Sequence, residues 1–195
     1  MIYREHILVV DDDPTLLEQA EQILSGRYHV SLALSGEQAL KYLQSGQEAD
    51  LILLDILMPG MDGYQTLEAI RGLGSYGAAP VIYLTSVSDP ESEVKGLTIG
   101  AADYVTKPFH PQILIARIER GLNAAGRLDA KKLAALPFPL TDNEYKVARL
   151  LARSYTNEAI CVQMHSALDT VKKTVSRILE KLDIKNRKEI EKYLK

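Results

Sequence analysis

The chain has 195 residues, 46% apolar and 25% charged, with a net charge of −3; such a make-up fits one large or two small globular domains. No apolar run approaches the roughly 20 residues that span a bilayer, and the segment MIYREHILVV lacks the apolar core and cleavage site of a signal peptide, which points to a cytoplasmic protein without a membrane span. The single cysteine, Cys161, excludes an internal disulfide framework and a multi-cysteine zinc site.

The charge is divided unevenly. Residues 1–123 carry 8 basic and 17 acidic side chains, a net −9, whereas residues 124–139 carry +2 and residues 140–195, with 12 basic and 8 acidic, carry +4. An acidic N-terminal part joined to a basic C-terminal part suggests that the second faces nucleic acid, although two solvated surfaces of opposite sign would give the same numbers.

Strand-like and helix-like runs alternate from residue 6 to residue 123. His6–Val10 is predicted as a strand. Residues 14–25 form a helix with Leu16, Leu17, Ala20, Ile23 and Leu24 on one stripe. A strand over 28–34 and a helix over Gly36–Gln44 follow. Leu51–Asp55 is a continuous apolar run closed by a turn, the pattern of a strand buried on both faces of a parallel sheet. A helix over 64–71, a strand over Val81–Thr85, a helix over 91–100, a strand over 102–105 and a helix over 111–123 complete the series. Five β–α units with right-handed crossovers fit a flavodoxin-like, doubly wound five-stranded parallel sheet of order 2-1-3-4-5. Residues 124–139 are expected to be a linker, because Pro137-Phe138-Pro139 cannot continue a helix.

From residue 140 the pattern is purely helical, a small all-α domain over 140–195. Thr141-Asp142-Asn143-Glu144 is a capping box. Helices are expected to about residue 154, over 157–164, over 168–182 and over 188–194. A short helix, a tight turn and a longer basic helix make the helix-turn-helix plan.

The chemistry gathers at strand ends. Asp11, Asp12 and Asp55 follow two adjacent strands and can converge on one crevice, where doubly wound sheets hold their ligands. Three carboxylates together need a hard divalent cation, and oxygen-only ligation suits magnesium. Thr85 adds a hydroxyl and Lys107 a compact positive charge at neighbouring strand ends. This set fits transfer of a phosphoryl group onto Asp55, an acyl-phosphate chemistry known for carboxylate nucleophiles. The run Gly72-Leu73-Gly74-Ser75-Tyr76-Gly77 matches the dinucleotide fingerprint but follows a helix and precedes a strand, the reverse of what that motif requires.

The motifs VVDDDP, LLDILMPGMDG, VIYLTS and ADYVTKPF together resemble the receiver domain of two-component response regulators over residues 1–123. That resemblance implies that Asp55 is the phosphoacceptor, that Asp11, Asp12, Asp55 and the backbone carbonyl of Leu57 hold Mg2+, and that Thr85 and Lys107 bind the phosphoryl oxygens. Tyr104 would be the switch aromatic that follows Thr85. Asp13 falls outside the acidic pair and reads as a capping carboxylate. Leu57 and Val87, apolar beside the path of an attacking water, would make the phosphoryl group long-lived.

LTDNE at 140–144, LLA at 150–152, Asn157, Ile160, TVKK at 170–173 and ILEKLDIKNRKE at 178–189 resemble the LuxR-type helix-turn-helix of the NarL/FixJ family. By that resemblance Lys172, Lys173 and Ser176 face base edges, and Arg177, Lys181 and Arg187 contact phosphates. The sequence departs from the family at Thr174, Ala159 and Ala167, with Ser166 available as a cap one residue before Ala167. The implied whole is a response regulator, phosphorylated by a sensor histidine kinase, that binds promoter DNA as a homodimer. It would be no enzyme beyond promoting its own phosphorylation and dephosphorylation. A phosphorylation-independent DNA-binding regulator and a protein-binding signalling module remain as alternatives.

Overall fold

The structure is a computed structural model and describes residues 4–47, 49–73, 79–86 and 101–194. The helix expected over 91–100, residue Val87 and most of the 72–77 loop lie outside the described residues. Arg4–Leu122 forms one compact unit, and the chain from Asn123 on forms a second.

In the first unit, strands β1 (His6–Val10), β2 (His29–Ala33), β3 (Leu51–Asp55), β4 (Val81–Thr85) and β5 (Asp103–Thr106) make one sheet of order β2-β1-β3-β4-β5. Every neighbouring pair is parallel. Between and after the strands run α1 (Pro14–Leu24), α2 (Gly36–Gln44), α3 (Gly63–Gly72) and α4 (Pro111–Ala124).

Alternate strand residues face opposite layers, the two-residue period of a pleated strand. Ile7, Val9, Leu51, Leu53, Ile82, Leu84 and Val105 pack against Leu17, Ala20 and Leu24 of α1 and Leu114, Ile118 and Leu122 of α4. Leu8, Val10, Ile52, Leu54 and Tyr83 pack against Ala39 and Leu43 of α2 and Leu67 and Ile70 of α3. This is why LILL in β3 has no polar interruption: both of its faces are interior. Helix starts follow local chemistry. Asp13 caps α1 by accepting from the Thr15 N–H at 2.8 Å, ahead of Pro14 at the first helical position. Asp62 and Gln65 form a reciprocal capping box on α3.

The second unit holds α5 (Ala130–Ala134), α6 (Asp142–Ala152), α7 (Asn157–Gln163), α8 (Leu168–Lys181) and a 3-10 helix over Arg187–Tyr193. The capping box read from the sequence is present: the Glu144 N–H donates to Thr141 Oγ1 at 3.2 Å, and the Thr141 N–H to Glu144 Oε2 at 2.8 Å. Three features differ from expectation. The stretch read as a linker carries α5, capped by Asp129, and buries Leu128 in the core of this unit. Leu128 pairs with Leu194 in an isolated antiparallel bridge, and Lys132 Nζ donates to the carbonyls of Lys192 and Leu194 at 2.7 and 3.3 Å. The last helix is a 3-10 helix, the tighter form that short closing turns adopt. Finally, α8 has Ala167 at its N-cap with no side-chain bond, and Ser166 does not substitute, since its hydroxyl donates back to the Met164 carbonyl at 2.9 Å.

Candidate functional site

The carboxyl ends of β1, β3, β4 and β5 bring Asp11, Asp55, Thr85 and Lys107 to one edge of the sheet. Backbone bonds fix these ends. The Asp11 N–H donates to the Ala33 carbonyl at 3.1 Å, Ile56 to Leu84 at 3.2 Å, and Lys107 to Thr85 at 2.7 Å. Lys107 Nζ lies 2.6 Å from Asp11 Oδ2 and 3.0 Å from Asp55 Oδ1, so one ammonium spans both carboxylates. Asp11, Asp55 and Thr85 are buried, and Asp12 is exposed at the mouth.

Burial pushes the Asp55 carboxyl above the ordinary carboxylate range. Lys107, by hydrogen bond and charge, pulls it back, the Asp11 charge pushes it up again, and the Leu57 backbone N–H lowers it slightly. Desolvation is the largest of these, so the charged form of Asp55 is held at a cost.

Asp11, Asp12 and Asp55 each offer a carboxylate oxygen within 4.8 Å of the others. Asp11 Oδ1 is oriented by the Asp13 N–H at 3.0 Å. Its Oδ2 is buried and, despite the close Lys107 ammonium, accepts no hydrogen bond of normal geometry. Two buried carboxylates and an exposed one, with oxygens this close together, fit a hard divalent cation. Leu57, two residues past Asp55, is 61% exposed at the rim.

The loop after β3 is tightly shaped. Gly60 has φ +77, in the left-handed region, and a Cβ on Gly63 would lie 2.3 Å from the Asp55 carbonyl oxygen. The start of α3 can therefore press on the backbone of Asp55 only because residue 63 is glycine. On the same side of the sheet, Tyr104 is half-buried and stacks on Tyr83, with ring centroids 6.1 Å apart and planes at 30°. The sequence reading singled out Tyr104 and missed Tyr83 and Gly63. The signal for Tyr83 was a lone tyrosine in the buried run VIYLT, opposite Tyr104 in register.

In the second unit α8 divides cleanly by burial. Val171, Thr174 and Ile178 face the core, while Lys172, Lys173, Ser176 and Arg177 are exposed on the other side. Ser176 donates to the Lys172 carbonyl at 3.1 Å, and Thr174 to the Thr170 carbonyl at 2.9 Å. The three residues expected at the phosphates also have partners within the domain. Arg177 donates Nε to the Lys173 carbonyl at 3.4 Å and Nη2 to Thr174 Oγ1 at 3.5 Å. Lys181 Nζ lies 2.7 Å from Glu144 Oε2 and 3.0 Å from the Pro139 carbonyl, which ties α8 to the start of α6. Arg187 directs Nη2 at the Tyr155 carbonyl. Lys172, Lys173 and Arg177 form the exposed basic stripe of α8, whereas Lys181 and Arg187 are half-buried.

Among the described residues no helix is long and apolar enough to cross a membrane. Residues 7–119 match the response regulator receiver domain family, and residues 139–194 match the luxR family of bacterial regulatory proteins. The chain is 31% identical over 198 residues to the "Probable transcriptional regulator ycf29" of Porphyra purpurea, covering 96% of this chain and 94% of that one. It is 29% identical over 218 residues to the response regulator Rre1 of a Synechocystis strain, with the same two coverages, 96% and 94%. The chemotaxis protein CheY4 of Vibrio cholerae superposes with a TM-score of 0.58 at 30% identity, over 61% of this chain and 99% of that one. A five-stranded parallel sheet with an acidic pocket at its carboxyl edge, followed by a helix-turn-helix, thus joins matches along nearly the whole sequence: the chain belongs to the response regulator family, a receiver domain carrying a luxR-type DNA-binding domain.

Proposed function

We propose that Asp55 accepts a phosphoryl group from a phosphohistidine of a sensor kinase, and that this controls DNA binding by the exposed face of α8. The observation that carries the reading is the pairing of one ammonium, Lys107 Nζ, with both Asp11 and Asp55 at the end of the central strand. An oxygen of the Asp55 carboxylate attacks phosphorus, a P–O bond forms as the P–N bond breaks, and the histidine imidazole leaves with a proton. Lys107 stays within reach of the transferred oxygens and offsets their charge. Thr85, at the end of the neighbouring strand, donates its hydroxyl to another, and Tyr104 reorients with it. Asp11, Asp12, Asp55 and the Leu57 carbonyl would hold Mg2+, which supplies further charge neutralisation when bound.

The receiver in this reading is residues 1–123, the reader domain 140–195, and 124–139 the connection between them, which packs α5 and Leu128 on the reader domain's core. The chain turns over no separate metabolite. Lys172, Lys173 and Ser176 approach base edges and Arg177 a phosphate, on promoter DNA occupied by a homodimer in the cytoplasm. The test is mass spectrometry after incubation with acetyl phosphate and magnesium. One added phosphoryl group, absent from Asp55→Asn, is expected. Undiminished labelling of that variant would remove Asp55 from the role.

A further inference from the structure

Tyr83 has a place in the geometry that neither the acidic pocket nor the reader domain uses. It lies in the middle of β4, in register with Leu54 on one side and Tyr104 on the other, and is fully buried. Its ring stacks on Tyr104 at 6.1 Å and meets Tyr64, the second residue of α3, edge-on at 5.4 Å and 65°. Its hydroxyl donates to the Gly63 carbonyl at 3.4 Å. Gly63 in turn donates its N–H to the Ile56 carbonyl at 3.0 Å and leaves no room for a Cβ against Asp55 and Ile56. An unbroken series of contacts therefore runs from the backbone of Asp55 through Gly63 and the Tyr83 hydroxyl to the ring on which Tyr104 lies.

The geometry points to Tyr83 as a positioning residue of the switch: its ring selects the orientation of Tyr104, and its hydroxyl ties that ring to the loop closing over Asp55. This rests on Asp55 being the phosphoacceptor and Tyr104 the responsive aromatic. It adds a second mechanical route between them, independent of the Thr85 hydroxyl. Leucine at 83 would fill the core but offer Tyr104 no ring, whereas phenylalanine would keep the ring and lose only the anchor. A stacked aromatic pair biases a two-state equilibrium by about 2- to 12-fold, and such a bias appears directly in the apparent affinity of a ligand that reads one state.

The experiment is a double-mutant cycle on the full chain, with the dissociation constant of beryllium fluoride in the presence of magnesium measured by calorimetry. Tyr83→Leu is expected to change that constant by about 2- to 12-fold when residue 104 is tyrosine and to leave it nearly unchanged in a Tyr104→Ala background. Tyr83→Phe should retain most of the coupling. A residue that merely fills the core would shift the constant by the same factor in both backgrounds, and such additivity overturns the inference. Should Tyr83→Leu fail to fold, Tyr83→Met, which also fills the core without a ring, takes its place in the same cycle. Additivity in that cycle likewise overturns the inference. Failure of the wild type to bind beryllium fluoride at all would instead bring down the Asp55 reading, and this one with it.

Discussion

Asp55 is held against its own preference for water. Burial raises its pKa above the unfolded value, so the folded state loses stability as pH rises through the folded pKa and recovers it on acidification. In metal-free buffer at neutral pH, Asp55→Asn should therefore melt at the same temperature as the wild type or a few degrees higher. Magnesium should narrow the gap, because it binds the carboxylate and not the amide; scanning calorimetry with and without the ion checks both. Leu57 argues a different point. Its side chain stands exposed beside the pocket and can hold no water by hydrogen bond. Leu57→Asn should speed phosphate loss after donor removal by about 2- to 12-fold, the worth of one hydrogen bond, read as decay of the labelled mass. On α8, exposure separates two cations that look alike in the sequence. Arg177→Ala should lower the salt slope of DNA binding by about one, whereas Lys181→Ala should leave the slope alone and lower the melting temperature of its domain.

At the scale of elements, the bond between α6 and α8 has a defined pH dependence. Burial pushes Glu144 up, but the Lys181 hydrogen bond, the Thr141 contacts and the Lys181 charge outweigh it and hold the carboxyl below its ordinary 4.5. A depressed folded pKa gives stability that is complete above the unfolded value and lost as pH falls through the folded one. Glu144→Gln should thus destabilise the domain at pH 7 and cost progressively less as pH falls below 4.5, followed by thermal melting across that range. Thr141→Ala should cost about 1 kcal/mol at pH 7, as for other N-caps, and less at acid pH, because the Thr141 hydroxyl is one of the groups that lower the Glu144 pKa. These elements also mark what the sequence makes legible. An apolar run stopped by a carboxylate reads directly as LILL then Asp55, and Thr141 with Glu144 reads as a cap because both partners are local. The Lys181–Glu144 pair joins residues 37 apart along the chain, and no local pattern marks it, so Lys181 looks like one more surface cation. Ser166 misled for a related reason. A serine before a helix predicts a cap, but here the backbone turn at His165, with φ +46, sends its hydroxyl to Met164.

The molecule as two units shows where composition falls short. Residues 124–139 end in Pro137-Phe138-Pro139, which cannot continue a helix, and read as a spacer. Yet Leu128 is 1% exposed, and Leu133 and Leu136 pack on the same core. A single buried leucine in a mixed stretch has no periodicity to announce it; its partners, Leu194 among them, are supplied by the far end of the chain. A fragment starting at residue 137 should accordingly be less stable to urea than one starting at residue 124, by about 2–5 kcal/mol if only the burial of Leu128 is lost. Equal midpoints for the two fragments would show that the segment adds nothing to the fold.

The bridge between Leu128 and Leu194 has a topological consequence as well. It brings the beginning and the end of the second domain side by side, so the path of the chain through that domain is nearly a closed ring. Proteins whose termini meet in this way tolerate circular permutation. Residues 128–194, joined end to start by a few glycines and reopened in the exposed turn around Asp183, should keep the stripe of Lys172, Lys173 and Arg177 intact. The new termini would then lie at the end of α8 rather than at the clasp.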